Sequence, residues 1–204
     1  GHKSFDLTDV WHGLNLQMLL YLFTLEDKGL PGDDRPVVPA GVLYLPAREE
    51  KLTGSRGMDE GARRRALDAK LRRSGLILND PNVVDAMEHV PLGQDARFLP
   101  VRVSKKTGAI SGDSLTSAVQ LGKLHRHIKR ILRDIAREVG GGCIQADPWY
   151  RDEKSTACAW CDYAAVCHFE DGRRGEHSRF LYPVKGTDFW ERLDEAEASE
   201  REEE

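Results

Sequence analysis

The chain has 204 residues, 31% of them charged, with a mean hydropathy of −0.53. This composition fits one soluble domain with extensions, and no apolar run approaches the roughly 20 residues that a membrane-spanning helix needs. The formal net charge of −4 hides a division, because the stretch from Glu191 to Glu204 holds eight acids against two arginines and leaves the rest slightly basic.

The first predicted helix runs from about Thr8 to Asp27 and stops at Lys28-Gly29. Apolar residues lie on most of its sides, so it is expected to be largely buried. Within it Gln17 and Tyr21 stand four residues apart and share a face, where they need hydrogen-bond partners in the core or in a site. Val37 to Leu45, broken by Pro39 and Gly41, predicts a strand from Gly41 to Leu45. Residues 58–73 predict a basic helix stopped by Ser74-Gly75, and Asn79-Asp80-Pro81 opens a short helix through Met87. Phe98 to Val103 and Ile110, around Lys105-Lys106-Thr107-Gly108, read as a hairpin.

A long helix capped by Asp113 or Ser114 then reaches Val139 and ends at Gly140-Gly141-Gly142. Its apolar stripe is Leu124, Ile128, Ile131, Leu132, Ile135 and Val139; its other face carries Lys123, Arg126, Lys129, Arg130, Arg133 and Arg137. A solvated helix face explains such a row of cations, and so does a surface that contacts phosphates. Cys143 to Ala146 predicts a short strand and Asp147 to Tyr150 a turn. The acidic end predicts a disordered tail or a frayed helix. The order gives a mixed α/β fold, α+β in character, in which helix predominates.

Three of the four cysteines, Cys158, Cys161 and Cys167, form the pattern Cys-x2-Cys-x5-Cys. Disulfides between such close neighbours would be strained and would staple little, whereas thiolates at this spacing can share one centre. Zinc and an iron–sulfur cluster both accept such ligands, and spacing does not choose between them. His168 directly follows Cys167, which makes joint ligation awkward. Cys143 is the other local candidate, although a buried residue after the long helix is the plainer reading. No secretory segment is evident, and cysteine clusters in a reducing compartment bind metal more often than they form disulfides.

Several stretches, in order, resemble one family. Phe5-Asp6-Leu7-Thr8-Asp9-Val10-Trp11-His12-Gly13-Leu14-Asn15-Leu16-Gln17-Met18 with Tyr21-Leu22 resembles the segment after the catalytic core in the nuclease domain of the AddB-type ATP-dependent helicase/deoxyribonucleases. Pro39 to Tyr44 resembles the strand that follows. Gly142 to Tyr150, with Thr156 to Tyr163 and Val166-Cys167, resembles its C-terminal iron–sulfur segment. The resemblance implies a restriction-endonuclease-like fold and Mg²⁺-dependent hydrolysis of DNA in bacterial double-strand-break repair. It also implies a heterodimer, formed in the cytoplasm at the nucleoid, with the AddA-type helicase-nuclease. Gln17 and Tyr21 match a pair that supports the catalytic site. Cys158, Cys161 and Cys167 match three ligands of a [4Fe-4S] cluster whose fourth ligand lies upstream.

Residues 1–170 are therefore expected to form a partial nuclease domain, with the iron–sulfur segment at 143–170 and an extension at 171–204. The family's catalytic Asp-x-Lys would fall where this sequence has Gly1-His2-Lys3. Lys3 as catalytic lysine would put Gly1 at the carboxylate position, so the chain is expected to be a fragment whose catalytic carboxylates lie upstream and which is inactive alone. The alternatives are another iron–sulfur exonuclease of the RecB-like or Cas4-like kind, and a non-catalytic, zinc-stabilised DNA-binding module.

Overall fold

The helix expected from Thr8 to Asp27 is two helices in the computed structural model, which describes residues 4–47, 52 and 57–203. Helix α1 (Leu7–Trp11) ends where Leu14 N donates to Asp9 O (2.7 Å) and Gly13 N to Val10 O (3.2 Å). These two bonds make a left-handed stop at Gly13, whose φ is +78°, a conformation that costs a residue without Cβ little. Helix α2 (Gln17–Lys28) starts afresh. Only Leu19 and Phe23 of α2 are buried, so the expectation of a largely buried helix is corrected to that of a surface helix with one inward stripe.

The remaining elements in chain order are β1 (Gly41–Tyr44), α3 (Glu60–Lys70), β2 (Ser74–Leu78), α4 (Pro81–Met87), β3 (Arg102–Val103), β4 (Ile110–Ser111) and β5 (Leu115–Thr116). There follow α5 (Ala118–Gly140), β6 (Trp149–Asp152), β7 (Ser155–Thr156), α6 (Ala164–Cys167), β8 (Arg179–Phe180) and α7 (Gly186–Glu203). This is the mixed, helix-predominant α/β fold expected. The chain divides into two compact units: Gly1–Asp6 with Gln17–His125, and Leu7–Leu16 with Arg126–Glu204.

In the first unit β1 pairs antiparallel with β2 (Gly41 opposite Ile77, Tyr44 opposite Ser74), and β2 pairs parallel with β5 (Ile77 opposite Leu115). Ser74-Gly75, expected only to stop a helix, begins this central strand. Gly75 is required there, since a Cβ would overlap the Val42 carbonyl across the ladder. Ile77, Val84, Ala96, Leu99 and Val101 form the core, with Leu43, Val83, Met87 and Leu115 packed against it. Asp80 caps α4 by accepting from Asn82 N (2.7 Å), as expected, and β3 pairs with β4 as the expected hairpin.

The cap of α5 is neither Asp113 nor Ser114, because Leu115–Thr116 is drawn into the sheet as β5. Ser117 takes the role: its Oγ accepts from Gln120 N (3.1 Å), while Gln120 Oε1 accepts from Ser117 N (2.8 Å). This reciprocal pair satisfies two donors that the helix start would leave open. In the first unit the helix buries Leu121 and Leu124.

In the second unit Trp149–Asp152 is the central strand β6, antiparallel to β7 and parallel to β8, and it takes in Trp149 and Tyr150 from the turn expected at Asp147 to Tyr150. Residues 143–146, expected as a strand, form no regular element. Ile128 of α5 is buried, but Leu132, Ile135 and Val139 are exposed, so the expected apolar stripe is covered only in its first half. The expectation of a disordered or frayed acidic tail gives way to α7, which buries Phe189 and Leu193 four residues apart on one face and packs against α1. Among the described residues no helix is long and apolar enough to cross a membrane.

Candidate functional site

Four groups of residues bear on function. The first is Gln17 and Tyr21 on α2. One helical turn apart, they are joined by a hydrogen bond from Gln17 Nε2 to the Tyr21 hydroxyl (2.8 Å), and both are exposed. Tyr21 is 55% exposed, which leaves its ring and the Gln17 carbonyl oxygen accessible from solvent. The pair therefore presents a polar, aromatic-edged face with no charge of its own. Lys3 lies outside the described residues.

The second is the cationic row on α5. Arg126, Lys129, Arg133 and Arg137 are exposed, while Lys123 and Arg130 are half-buried. Members of the row also have partners in the fold, among them Arg130, whose Nη2 lies 2.8 Å from His127 Nδ1. Arg126 donates through Nε (2.8 Å) and Nη2 (3.2 Å) to Glu197 of α7, and that carboxylate raises its pKa above the ordinary value. Arg137 pairs with Asp134 (3.3 Å), one turn away on the same helix.

The third is the cysteine segment. Successive turns carry it: Cys158 N donates to Thr156 Oγ1 (2.8 Å), Cys161 N to Cys158 O (3.3 Å), and Cys167 N to Tyr163 O (2.9 Å). Helix α6 then stops at His168 in the left-handed conformation. All four cysteines are free and exposed, which excludes a core role for Cys158, Cys161 and Cys167 and corrects the reading of Cys143 as buried. Cys143 follows the left-handed stop of α5, its N–H donating to Glu138 O (3.0 Å). As donors, three thiols within one short segment suit three corners of a thiolate-bound centre. As an arrangement they do not: among the described residues no three His, Cys, Asp or Glu side chains are gathered as a metal site.

The fourth group was not anticipated. The segment Leu7–Leu16 fastens the second unit from within. The Asp9 carboxylate accepts from Arg151 Nη2 of β6 and from Asn15 Nδ2 (2.7 Å), and it is buried. Thr8 Oγ1 donates to Val184 O (3.2 Å) and accepts from Val184 N (3.1 Å), and His12 Nε2 lies 3.1 Å from Tyr182 O. Trp11 stacks on His127 (centroids 5.2 Å, 13° between planes) and meets the edge of Phe189 (6.2 Å). The strand that leads into the cysteine segment is thus tied to α1 through Asp9. Nothing local in the sequence marks this, because the partners lie more than 140 residues apart.

Comparison with known proteins assigns the chain to one family. Residues 1–168 match the PD-(D/E)XK nuclease superfamily. The chain belongs to that superfamily, and its α/β fold is the nuclease fold. The chain is also similar to proteins named as the B subunit of ATP-dependent helicase/deoxyribonuclease. That of Acetivibrio thermocellus is 28% identical over 190 residues, covering 93% of this chain and 16% of the relative. That of Anoxybacillus flavithermus is 31% identical over 189 residues, covering 92% and 16%. That of Clostridium botulinum strain Hall is 29% identical over 199 residues, covering 95% and 17%. The chain spans about a sixth of the length of these curated relatives.

Proposed function

We propose that the chain is the C-terminal part of the DNA-degrading nuclease domain of an AddB-type helicase-nuclease, acting in double-strand-break repair beside its AddA-type partner. The observation that carries this reading is that relatives bearing one helicase/deoxyribonuclease name align with more than nine-tenths of the chain, alongside a nuclease family match over residues 1–168. In this reading Mg²⁺, when bound, offsets charge on the scissile phosphate and activates water. Gln17 and Tyr21 supply an uncharged hydrogen-bonding edge that orients the strand, and Lys129, Arg133 and Arg137 supply phosphate contacts along α5.

The carboxylates of the reaction come from elsewhere in the parent. The buried carboxylate of Asp9 is held by Arg151 and Asn15, and among the described residues no group of metal-ligating side chains is assembled. Cys158, Cys161 and Cys167 hold three corners of a [4Fe-4S] cluster with a structural role, closed by a fourth ligand from the parent. No catalytic step depends on it.

The test is Mg²⁺-dependent degradation of linear DNA. The 204-residue chain is expected to be inactive. The parent protein is expected to be active, and Gln17→Ala or Tyr21→Ala in the parent should lower its rate without loss of metal binding. Activity of the isolated chain that survives Lys3→Ala would place the active site elsewhere and sink the reading; activity abolished by that change would make Lys3 catalytic. Iron content and visible absorbance of the parent check the cluster independently. Cys161→Ser should remove both, and full iron retention in that variant would overturn the ligand assignment.

A further inference from the structure

One cleft in the first unit takes no part in the nuclease chemistry proposed above. Leu45 and Pro46 after β1, Leu71 and Arg73 after α3, and Phe98 line a solvent-open cleft of about 170 Å³. Four of its five walls are apolar and the fifth is a guanidinium. Arg73 Cζ lies 6.0 Å from the centroid of the Phe98 ring, and Arg97 Cζ lies 4.7 Å from it. Arg97 is held there by Asp68, to whose two oxygens its Nε and Nη2 donate at 2.8 Å each. Arg72, the neighbour of Arg73 after α3, donates through Nη2 to Ala96 O (3.3 Å).

The turn that carries Phe98 is fixed before any ligand arrives. Glu88 accepts from three successive backbone N–H groups, those of Arg97 (2.5 Å), Phe98 (3.1 Å) and Leu99 (3.1 Å). Phe98 O in turn accepts from Arg73 N (2.9 Å). The ring and the Arg73 backbone are therefore held together by hydrogen bonds rather than by side-chain packing alone. The flanking sequence is basic: residues 59–73 hold Arg63, Arg64, Arg65, Lys70, Arg72 and Arg73 against three acids.

We propose that this cleft receives one unstacked base of a DNA single strand, with the adjoining phosphates on Arg72 and Arg73. A small apolar slot with an aromatic wall suits the π-face of a base, and guanidinium groups at its rim suit the backbone on either side. A double helix keeps its bases stacked and would leave the slot unused, while an acidic peptide would use only the rim. The proposal rests on the nuclease reading above and adds to it a seat for the strand, distant in sequence from Gln17 and from the cationic row of α5.

The experiment is fluorescence anisotropy of the 204-residue chain with a labelled single-stranded oligodeoxynucleotide, with an abasic oligomer of equal length, and with a duplex competitor, across a salt series. Phe98→Leu, in a variant that melts like the parent chain, should weaken binding of the intact strand about tenfold and leave the abasic strand unaffected. Phe98→Tyr should restore it. Arg73→Gln should weaken both strands and lower the salt slope by roughly 0.7. Equal binding by Phe98→Leu and the parent chain, or a duplex that competes as well as a single strand, would overturn the proposal. If binding survives Phe98→Leu yet falls in Arg133→Glu, the cleft is excluded and the nuclease reading stands. If Phe98 governs binding but the parent protein cuts no DNA, the cleft stands and the nuclease reading falls. No binding of any DNA overturns both.

Discussion

Each of the two units is held together by its own means. In the first, a three-stranded sheet and a hydrophobic cluster share the same residues: Ile77 is at once a ladder partner of Gly41 and Leu115 and a fully buried core side chain. In the second, the described strands are two to four residues long, and much of the fastening is done by single side chains reaching distant partners, as Thr8 does at Val184 and Asp9 at Arg151. Sheet pairing spreads its free energy over many modest bonds, while a buried carboxylate concentrates it in one place, where losing a partner leaves a desolvated group behind. The first unit should therefore fail at points of close backbone approach, and the second at individual polar side chains.

The largest effect is expected at Gly75. Its added Cβ would overlap the carbonyl oxygen of Val42, and the same crowding recurs across the ladder at Gly41 against Leu76 O. Neither obstacle is the flexible end of a side chain, so the strands themselves would have to separate. Gly75→Ala should cost about 3 kcal/mol or more, within the upper range for overpacked interiors. Hydrogen exchange is the suitable readout, because it resolves the two units. Protection should collapse at the amides of Ile77 and Asn79, which donate to Ser114 O and Thr116 O (2.8 Å each). A thermal midpoint unchanged from the parent chain would show that the ladder is looser than these contacts require.

Asp9→Ala is the matching test of the second unit. It removes the acceptor for Arg151 and Asn15, and since the Arg151 side chain is 39% exposed, water should offset part of the loss. A cost of about 2 kcal/mol is expected. Exchange should rise at Leu181 N, which donates to Tyr150 O (2.9 Å), and at Val184 N, with little change at Ile77 N. An equal rise in both units would remove the contrast between them.

The same contrast decides what was legible in the sequence. The strand at Gly41, the helix opened by Asp80-Pro81, the hairpin before Ile110 and the stop at Gly140–Gly142 follow local rules of propensity and capping, and they stand where those rules put them. The errors came where a non-local partner outweighed a local signal. Leu115–Thr116 reads as the start of a helix and is taken by β2. Asp147 to Tyr150 reads as a turn, yet its last two residues, Trp149 and Tyr150, are taken into the sheet by β7 and β8. The split at Gly13 was available, since His12-Gly13 is a stop signal, but the leucines on either side masked it. For the candidate site, the spacing of Gln17 and Tyr21 predicted their shared face, and the structure adds the hydrogen bond between them. The Asp9–Arg151 tie and the Phe98 cleft depend on chain segments brought together from afar, and no periodicity announces them.

The smallest effect expected is a pH dependence confined to the first unit. Hydrogen bonds from the Arg97 guanidinium hold the Asp68 carboxyl below the usual carboxylate range. The positive charges of Arg97 and Arg64 act in the same direction, and partial desolvation opposes them. With its folded pKa depressed, Asp68 binds more protons in the unfolded chain than in the folded one. Its contribution is thus complete above the ordinary carboxylate value of about 3.9 and is lost as pH falls through the folded value. Asp68→Asn should melt slightly below the parent chain between about pH 5 and 7, and the two midpoints should converge below about pH 3. Because the pair is open to solvent, added salt should shrink the difference at neutral pH. A difference that persists undiminished in strong acid would mean that Asp68 acts through the shape of its hydrogen bonds rather than through its charge. The orientation of Arg97 over Phe98 would then survive protonation as well.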